Sequence, residues 1–288
     1  MPVVAFATYR QSPRLTDDDA LVARVLVERG IDVHAVPWNG SDVDWDRFDR
    51  VIIRSAWDFH LAPEAYEEWL RRFFDRPQRL WNPPAVVLAN LNKRYLIDLA
   101  RQGIDVVPTA HVEAGGAQSL LSVIEQHGWD EVVIKPAVSA SARGTWRSAR
   151  DAAAADEDTF AAARRIHDML VQPYCHEVAS KGEWSMIFFD GAYSHAVLKR
   201  PADGDFRVQR HFGGTPVAAA PDSRLIAQAS RILSTMSERP LYARVDGIER
   251  EGRFVLMELE LNEPFLFLAQ SEAGPTRFAD AIARILGA

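Results

Sequence analysis

Cysteine is nearly absent from this chain of 288 residues: Cys175 stands alone. An internal disulfide is therefore excluded, as is any metal centre built on several thiolates. No apolar run reaches the roughly 18 residues that would mark a membrane span. Met1 to Tyr9 carries no basic stretch and no small-residue cleavage site, so it does not read as a secretion signal. Basic residues are outnumbered, 33 Lys and Arg against 40 Asp and Glu, and the net charge of -7 argues against a broad nucleic-acid surface. Three motifs are also missing. There is no G-x-G-x-x-G for a dinucleotide, no H-E-x-x-H for zinc and no G-x-S-x-G nucleophile elbow. A cytoplasmic protein with no nucleic-acid or membrane partner is the expectation.

What is present is core-forming material, 48% hydrophobic. Val3 to Ala7 reads as a buried strand, Asp17 to Arg29 as an amphipathic helix ended by Gly30, Ile31 to Pro37 and Val51 to Ile53 as further strands, and Pro63 to Asp75 as a helix. This alternation predicts a parallel sheet covered by helices. Trp81-Asn82-Pro83-Pro84 breaks it and predicts a boundary near residue 85. Helices are expected over Asn92–Arg101, Gln118–His127 and Asp151–Met169, with strands over Val106–Val112 and Glu131–Lys135. Ala137 to Gly144 is small and polar and reads as a flexible loop. The last third is hairpin-rich. Asp190-Gly191 and Glu251-Gly252 each sit between apolar alternating runs. Phe206–Phe212 reads as another strand, Ser223–Ser237 and Arg277–Leu286 as helices.

The chemistry-bearing residues concentrate there. Glu258, Glu260 and Asn262 recur at every second position of an apolar run and so share one face of a strand, with Met257, Leu259 and Leu261 on the other. Across the Glu251-Gly252 turn, Asp246 falls roughly opposite Glu258. Clustered carboxylates repel one another unless a cation intervenes. Their hard oxygens suit Mg2+ or Mn2+ completed by phosphate oxygens. Lys135 ends a buried strand, either as a snorkelling surface group or as a ligand for a buried anion. Lys93, Lys199, Arg200 and Arg207 add positive charge before and after the small-residue loop, an order that suits a triphosphate between two lobes. Backbone N–H groups of Ser139, Ser141 and Gly144 can approach phosphate oxygens. Arg54, Trp57 and Asp58 follow a strand of the first sheet, where ligands of open α/β sheets gather. Arg54 and Asp58 either pair with a substrate carboxylate and ammonium or with each other beside the next helix.

Taken together, Leu198-Lys199-Arg200, Gly204-Asp205-Phe206-Arg207, Gly213-Gly214 and Val245-Asp246 followed by Leu256-Met257-Glu258 resemble the ATP-grasp superfamily, especially its RimK and glutathione-synthetase-like ligases. The resemblance spans about Asn82 to Pro264. Arg54-Ser55-Ala56-Trp57-Asp58-Phe59, Asn90 to Tyr95 and Glu258 to Pro264 further resemble the branch of D-cycloserine biosynthesis that cyclises O-ureido-D-serine.

The resemblance implies an α/β and α+β architecture: an N-terminal domain over 1–84, a central lid subdomain over 85–175 and a C-terminal catalytic subdomain over 176–288, with ATP between lobes. It implies that Gln172-Pro173-Tyr174 is the adenine hinge and Glu177 the ribose carboxylate, with Glu183 also on the nucleotide. Lys93 and Lys135 would hold the α- and β-phosphates. Arg207 would serve the γ-phosphate and acyl phosphate, and Lys199 phosphate or substrate. Asp246, Glu258 and Glu260 would bind Mg2+ or Mn2+, with either Glu260 or Asn262 at the position where the family pattern places asparagine. Arg54, Trp57, Asp58 and Arg143 would contact an amino-acid-like substrate, and Ser139 to Gly144 would close as a lid. The expected activity is ATP-dependent ligation through an acyl phosphate, with ring closure as its intramolecular form. A small-molecule kinase, an ATPase without ligation and a degenerate nucleotide-binding scaffold are the alternatives. A homodimer is the base-rate expectation for assembly.

Overall fold

The computed structural model describes residues 1–209 and 212–287. Its first sheet is parallel, in the order β2-β1-β3-β4, from β1 (Val3–Thr8), β2 (Asp32–Pro37), β3 (Arg50–Ile53) and β4 (Leu80–Trp81). Crossovers are made by α1 (Asp17–Glu28) and α2 (Pro63–Arg71). The Thr16 hydroxyl caps α1 by accepting from Asp19 N. The proline pair after β4 does not simply stop the chain. Pro84 occupies the first turn of α3 (Pro84–Leu91), where a missing N–H costs nothing. α4 (Tyr95–Arg101) follows.

The second sheet is antiparallel, β5-β8-β6-β7, formed by β5 (Ala110–Val112), β6 (Glu131–Pro136), β7 (Trp146–Ala149) and β8 (Met169–Pro173). It is covered by α5 (Leu120–His127) and α6 (Ala153–Arg164). The expected helix over Asp151–Met169 therefore ends early, because Met169 starts a strand whose first four residues are buried.

The third sheet is antiparallel, β11-β10-β9-β12-β13. The short α7 (Glu177–Ser180) leads into β9 (Glu183–Phe189) and β10 (Ala192–Arg200). Asp190 and Gly191 both take positive φ, 50° and 73°, as do Glu251 and Gly252 between β12 (Tyr242–Arg250) and β13 (Arg253–Glu260), at 52° and 75°. That pair of left-handed residues matches the twist of a tight hairpin. The expected strand over Phe206–Phe212 is not formed: residues 205–209 lie in a loop, while positions 210 and 211 fall outside the described residues. The strand comes later, as β11 (Thr215–Ala218). Helices α8 (Ser223–Ser234) and α9 (Gly274–Leu286) complete the chain. Among the described residues no helix is long and apolar enough to cross a membrane.

The first and third sheets share one core, in which Val4, Phe6 and Ile52 pack with Ile187, Phe189, Tyr242 and Phe278. Asn82 rivets the two: it is fully buried, its amide donates to Tyr242 O at 2.9 Å and Leu261 O at 2.6 Å, and its carbonyl accepts from Leu241 N at 2.7 Å. This joint places the end of β3 against the end of β13.

Candidate active site

A cavity of about 570 Å³ opens where the three sheets meet. That is ample for a nucleotide-sized ligand. Lys93, Lys135, Ser139, Ser141, Gln172, Pro173, Tyr174, Glu183, Lys199, Arg207, Asp246, Glu258, Glu260 and Trp57 all line it.

The acidic wall depends on strand register. Asp246 pairs with Glu258 and Arg244 with Glu260 across β12 and β13, and the register then slips at Gly247, which pairs with Leu256. The slip is a bulge that leaves Met257 as the extra residue. A Cβ on Gly247 would lie 2.4 Å from Val255 O, so no other residue fits. Met257 and Leu259, expected on the face opposite the acids, also line the cavity with them.

The chain's own cations offset the repulsion among the acids. Arg244 Nε lies 3.1 and 3.0 Å from the two oxygens of Asp246, and Nη2 lies 2.9 Å from Oδ2 while also donating to Glu260. Lys199 Nζ sits 2.6 Å from Glu183 and 3.6 Å from Asp246. Lys93 Nζ donates to Ser139 O at 2.6 Å and lies 3.3 Å from Glu258. Burial pushes the Asp246 carboxyl up, but Arg244 and Lys199 outweigh it and hold it below the usual range. Glu258 is likewise held low, because Lys93 and Lys135 outweigh burial. Burial dominates at Glu260, reinforced by Glu258 and Asp246, and its carboxyl rises. Burial lowers Lys135, which makes no hydrogen bond or ion pair among the described residues and presents its ammonium to the cavity.

No group of three or more His, Cys, Asp or Glu side chains among the described residues is arranged to hold a metal ion by itself. The donor chemistry nevertheless fits a hard divalent cation. Carboxylate oxygens of Asp246, Glu258 and Glu260 line one wall, and an Mg2+ site typically draws the rest of its shell from water and phosphate.

Other residues are positioned by local hydrogen bonds. Gln172 Nε2 donates to Thr109 Oγ1 at 2.8 Å, and Tyr174 N donates to Glu131 O at 2.8 Å. Arg147 lies over the Tyr174 ring, 4.1 Å from its centroid. Arg207 donates through Nε and Nη2 to the carboxylate of Asp205, at 3.0 and 2.8 Å, and its guanidinium lies 3.5 Å from the Phe212 ring centroid. In the small-residue loop Ser141 and Ala142 take φ of 54° and 55°, and Ser139 through Ala142 and Thr145 face the cavity.

Five expected site residues do not line the cavity. Arg54 is 1% exposed. It pairs with Asp19 at 2.8 Å and donates to Pro264 O at 3.0 Å, so it braces the lobes. Asp58 accepts from Trp38 Nε1 and Asn39 Nδ2, both at 2.7 Å, and is spent inside the first domain. Glu177 pairs with Arg250 at 2.6 Å and is not itself part of the lining, although its neighbours Cys175 and Val178 are, whereas Glu183 lies within it. Arg143 and Gly144 are exposed and are not among the residues that line the cavity.

Arg244, Asn90, Tyr95 and Glu263 also line the cavity; the last three lie in the segments that carry the family resemblance, but none of the four had been expected in a site role. Arg244 was within reach of the alternation argument, since it precedes Asp246 by two on the same strand.

A family model described as "D-cycloserine synthetase DcsG, N-terminal domain" matches residues 4–82. The cycloserine biosynthesis protein DcsG of Streptomyces lavendulae is 34% identical over 278 residues, 89% of this chain and 90% of that protein. The crystal structure of D-cycloserine synthetase DcsG superposes with a TM-score of 0.86 at 29% identity, covering 99% of both chains. The RimK domain ATP-grasp protein from Sphaerobacter thermophilus matches at 0.70 and 16% identity, over 98% of this chain and 99% of that one, and so shares the fold. The chain belongs to the DcsG family of ATP-grasp ligases.

Proposed function

We propose that this ligase uses ATP and Mg2+ (or Mn2+) to activate the carboxylate of an amino-acid-like substrate, and that the substrate is O-ureido-D-serine, closed to a ring. One observation carries the reading: the acids Asp246, Glu258 and Glu260 and the cations Lys93, Lys135, Lys199 and Arg244 surround a single cavity. Such a wall counters the central difficulty of the reaction, the approach of a carboxylate to a polyanion.

The hinge residues Gln172, Pro173 and Tyr174 would seat the purine, and Glu183 the sugar side of the nucleotide. Lys135, whose ammonium is uncommitted, would take the α- and β-phosphates together with Lys93. Asp246, Glu258 and Glu260 would hold the divalent ion, which when bound supplies neutralisation of charge at the transferring phosphoryl group. Arg207, steadied by Asp205, would face the γ-phosphate. Arg244 would stabilise negative charge on the activated carboxyl as nitrogen attacks it. The attack forms a C–N bond and breaks the bond between the carbonyl carbon and the phosphate oxygen, so phosphate leaves with the electron pair and takes up the proton that the attacking nitrogen loses. The loop from Ser139 to Thr145 would exclude water from the acyl phosphate.

The test is release of ADP and phosphate with O-ureido-D-serine, ATP and Mg2+, with the cyclic amide identified by mass spectrometry. A stable phosphorylated product would make the protein a kinase instead. ADP release indifferent to any amino-acid substrate would make it an ATPase.

A further inference from the structure

Glu263 is the acid of this cavity whose charge the protein leaves unmatched. The acceptors that flank it are taken: Asn262 Oδ1 accepts from Tyr66 at 2.6 Å, and Pro264 O from Arg54 at 3.0 Å, whereas Asn262 Nδ2 is buried without a partner among the described residues. Its own backbone is pinned, because Trp57 Nε1 donates to Glu263 O at 3.1 Å. The carboxylate, by contrast, has no ion pair and no side-chain partner among the described residues and accepts only from its own backbone N–H, while Glu263 lines the same cavity as Trp57, Phe59, Phe265 and Phe267.

The charges around it are committed elsewhere. Lys93, the cation that acts on it most, is held by Ser139 O and Glu258. Arg244 is held by Asp246 and Glu260. Burial pushes the Glu263 carboxyl up to about 7. An unpaired, partly buried carboxylate costs free energy that a cation arriving in the cavity would recover. Aromatic walls favour that cation over water. Trp57, which donates to Glu263 O, and Phe59 follow β3 of the first sheet, whereas Gln172 belongs to the second and Tyr174 directly follows it, so Glu263 stands on the side of the cavity that the first sheet supplies.

We propose that Glu263 anchors the α-ammonium group of the amino-acid substrate and makes the enzyme select an amine-bearing carboxylate over its des-amino analogue. The inference rests on the ligase reading of the same cavity. It gives Glu263 the role that the sequence suggested for Asp58, whose oxygens are taken by Trp38 and Asn39. A primary ammonium has three donors and matches a carboxylate that lacks a side-chain donor.

The experiment compares ADP release with O-ureido-D-serine and with 3-(ureidooxy)propanoate, in the wild-type protein and in Glu263→Gln and Glu263→Asp. Glutamine keeps the shape, so an unchanged KM for ATP certifies the fold. The wild type is expected to prefer the amine by about 100-fold in kcat/KM, Glu263→Gln to fall within about 3-fold, and Glu263→Asp to retain part of the preference. The same preference in Glu263→Gln as in wild type overturns the proposal. So does an equal loss with both compounds accompanied by a higher Mg2+ requirement, which would place Glu263 on the metal. If the wild type releases no ADP with either compound, the ligase reading of the substrate fails. Ammonium recognition is then read by calorimetry with D-serine against 3-hydroxypropanoate, where equal or absent affinity overturns it.

Discussion

Arg244 grips Asp246 through Nε and Nη2, with contacts of 2.9 to 3.1 Å, while the Asp246 carboxylate is only 3% exposed. The pair is buried, and its second carboxylate oxygen also accepts from Ser185 at 2.5 Å. Removing the arginine therefore strands a buried charge. Arg244→Ala is expected to lower stability by about 3 kcal/mol in urea unfolding. Arg244→Lys keeps the charge but not the fork, and kcat is expected to fall about 100-fold with the KM for ATP little changed. Full activity in the lysine variant would remove Arg244 from the reacting centre.

Asp205 aims Arg207. Its Oδ1 accepts from the backbone N–H of Phe206 and Arg207 as well as from Arg207 Nε. Asp205→Asn leaves an acceptor for the backbone but weakens the hold on the guanidinium. Because positioning is what is lost, kcat is expected to fall about 10-fold while the melting temperature stays put. Steady-state kinetics beside a thermal melt separate this from simple destabilisation.

Arg54 offers the opposite pattern. Its pair with Asp19 is 1% and 3% exposed, and its guanidinium stacks near the rings of Tyr242 and Phe278. Arg54→Ala is expected to cost about 3 to 5 kcal/mol of stability. At a temperature where the variant is still folded, the KM for the amino-acid substrate should move less than about 3-fold. A large KM effect in folded protein would return Arg54 to the substrate.

The Glu263 carboxyl sits at about 7, well above its unfolded value of 4.5, so the folded state binds the proton more tightly. Stability should therefore be highest below about pH 4.5 as far as this group is concerned, and decline as pH rises through 7. Glu263→Gln should flatten that decline by on the order of 1 kcal/mol, discounted for partial exposure. Unfolding of the ligand-free protein at pH 6 and pH 8 measures it. Identical slopes in variant and wild type would show that the buried acid is not responsible.

Much of the fold could be read along the chain. The strand–helix alternation before Asn82, the two Asp-Gly and Glu-Gly hairpins and the pairing of Asp246 with Glu258 all follow from local periodicity and turn chemistry. The strand expected over Phe206–Phe212 was misplaced because its apolar residues serve a different end. Val208 is buried with Val107, Cys175 and Ile248, and Phe212 stacks on Arg207. Composition cannot distinguish a strand from a loop pinned by such contacts.

By itself the sequence determined which chemistries were present: carboxylates alternating on a strand, lysines at the ends of buried segments, and the motif order that resembles an ATP-grasp ligase. The tertiary structure alone decided which charges remain available. Arg54, Asp58 and Glu177 found partners, at Asp19, Asn39 and Arg250, that are distant in sequence or carry no motif, while Glu263 found no side-chain partner among the described residues. A charged group's role depends on what neutralises it, and that is set by burial and by neighbours brought together only when the sheets pack.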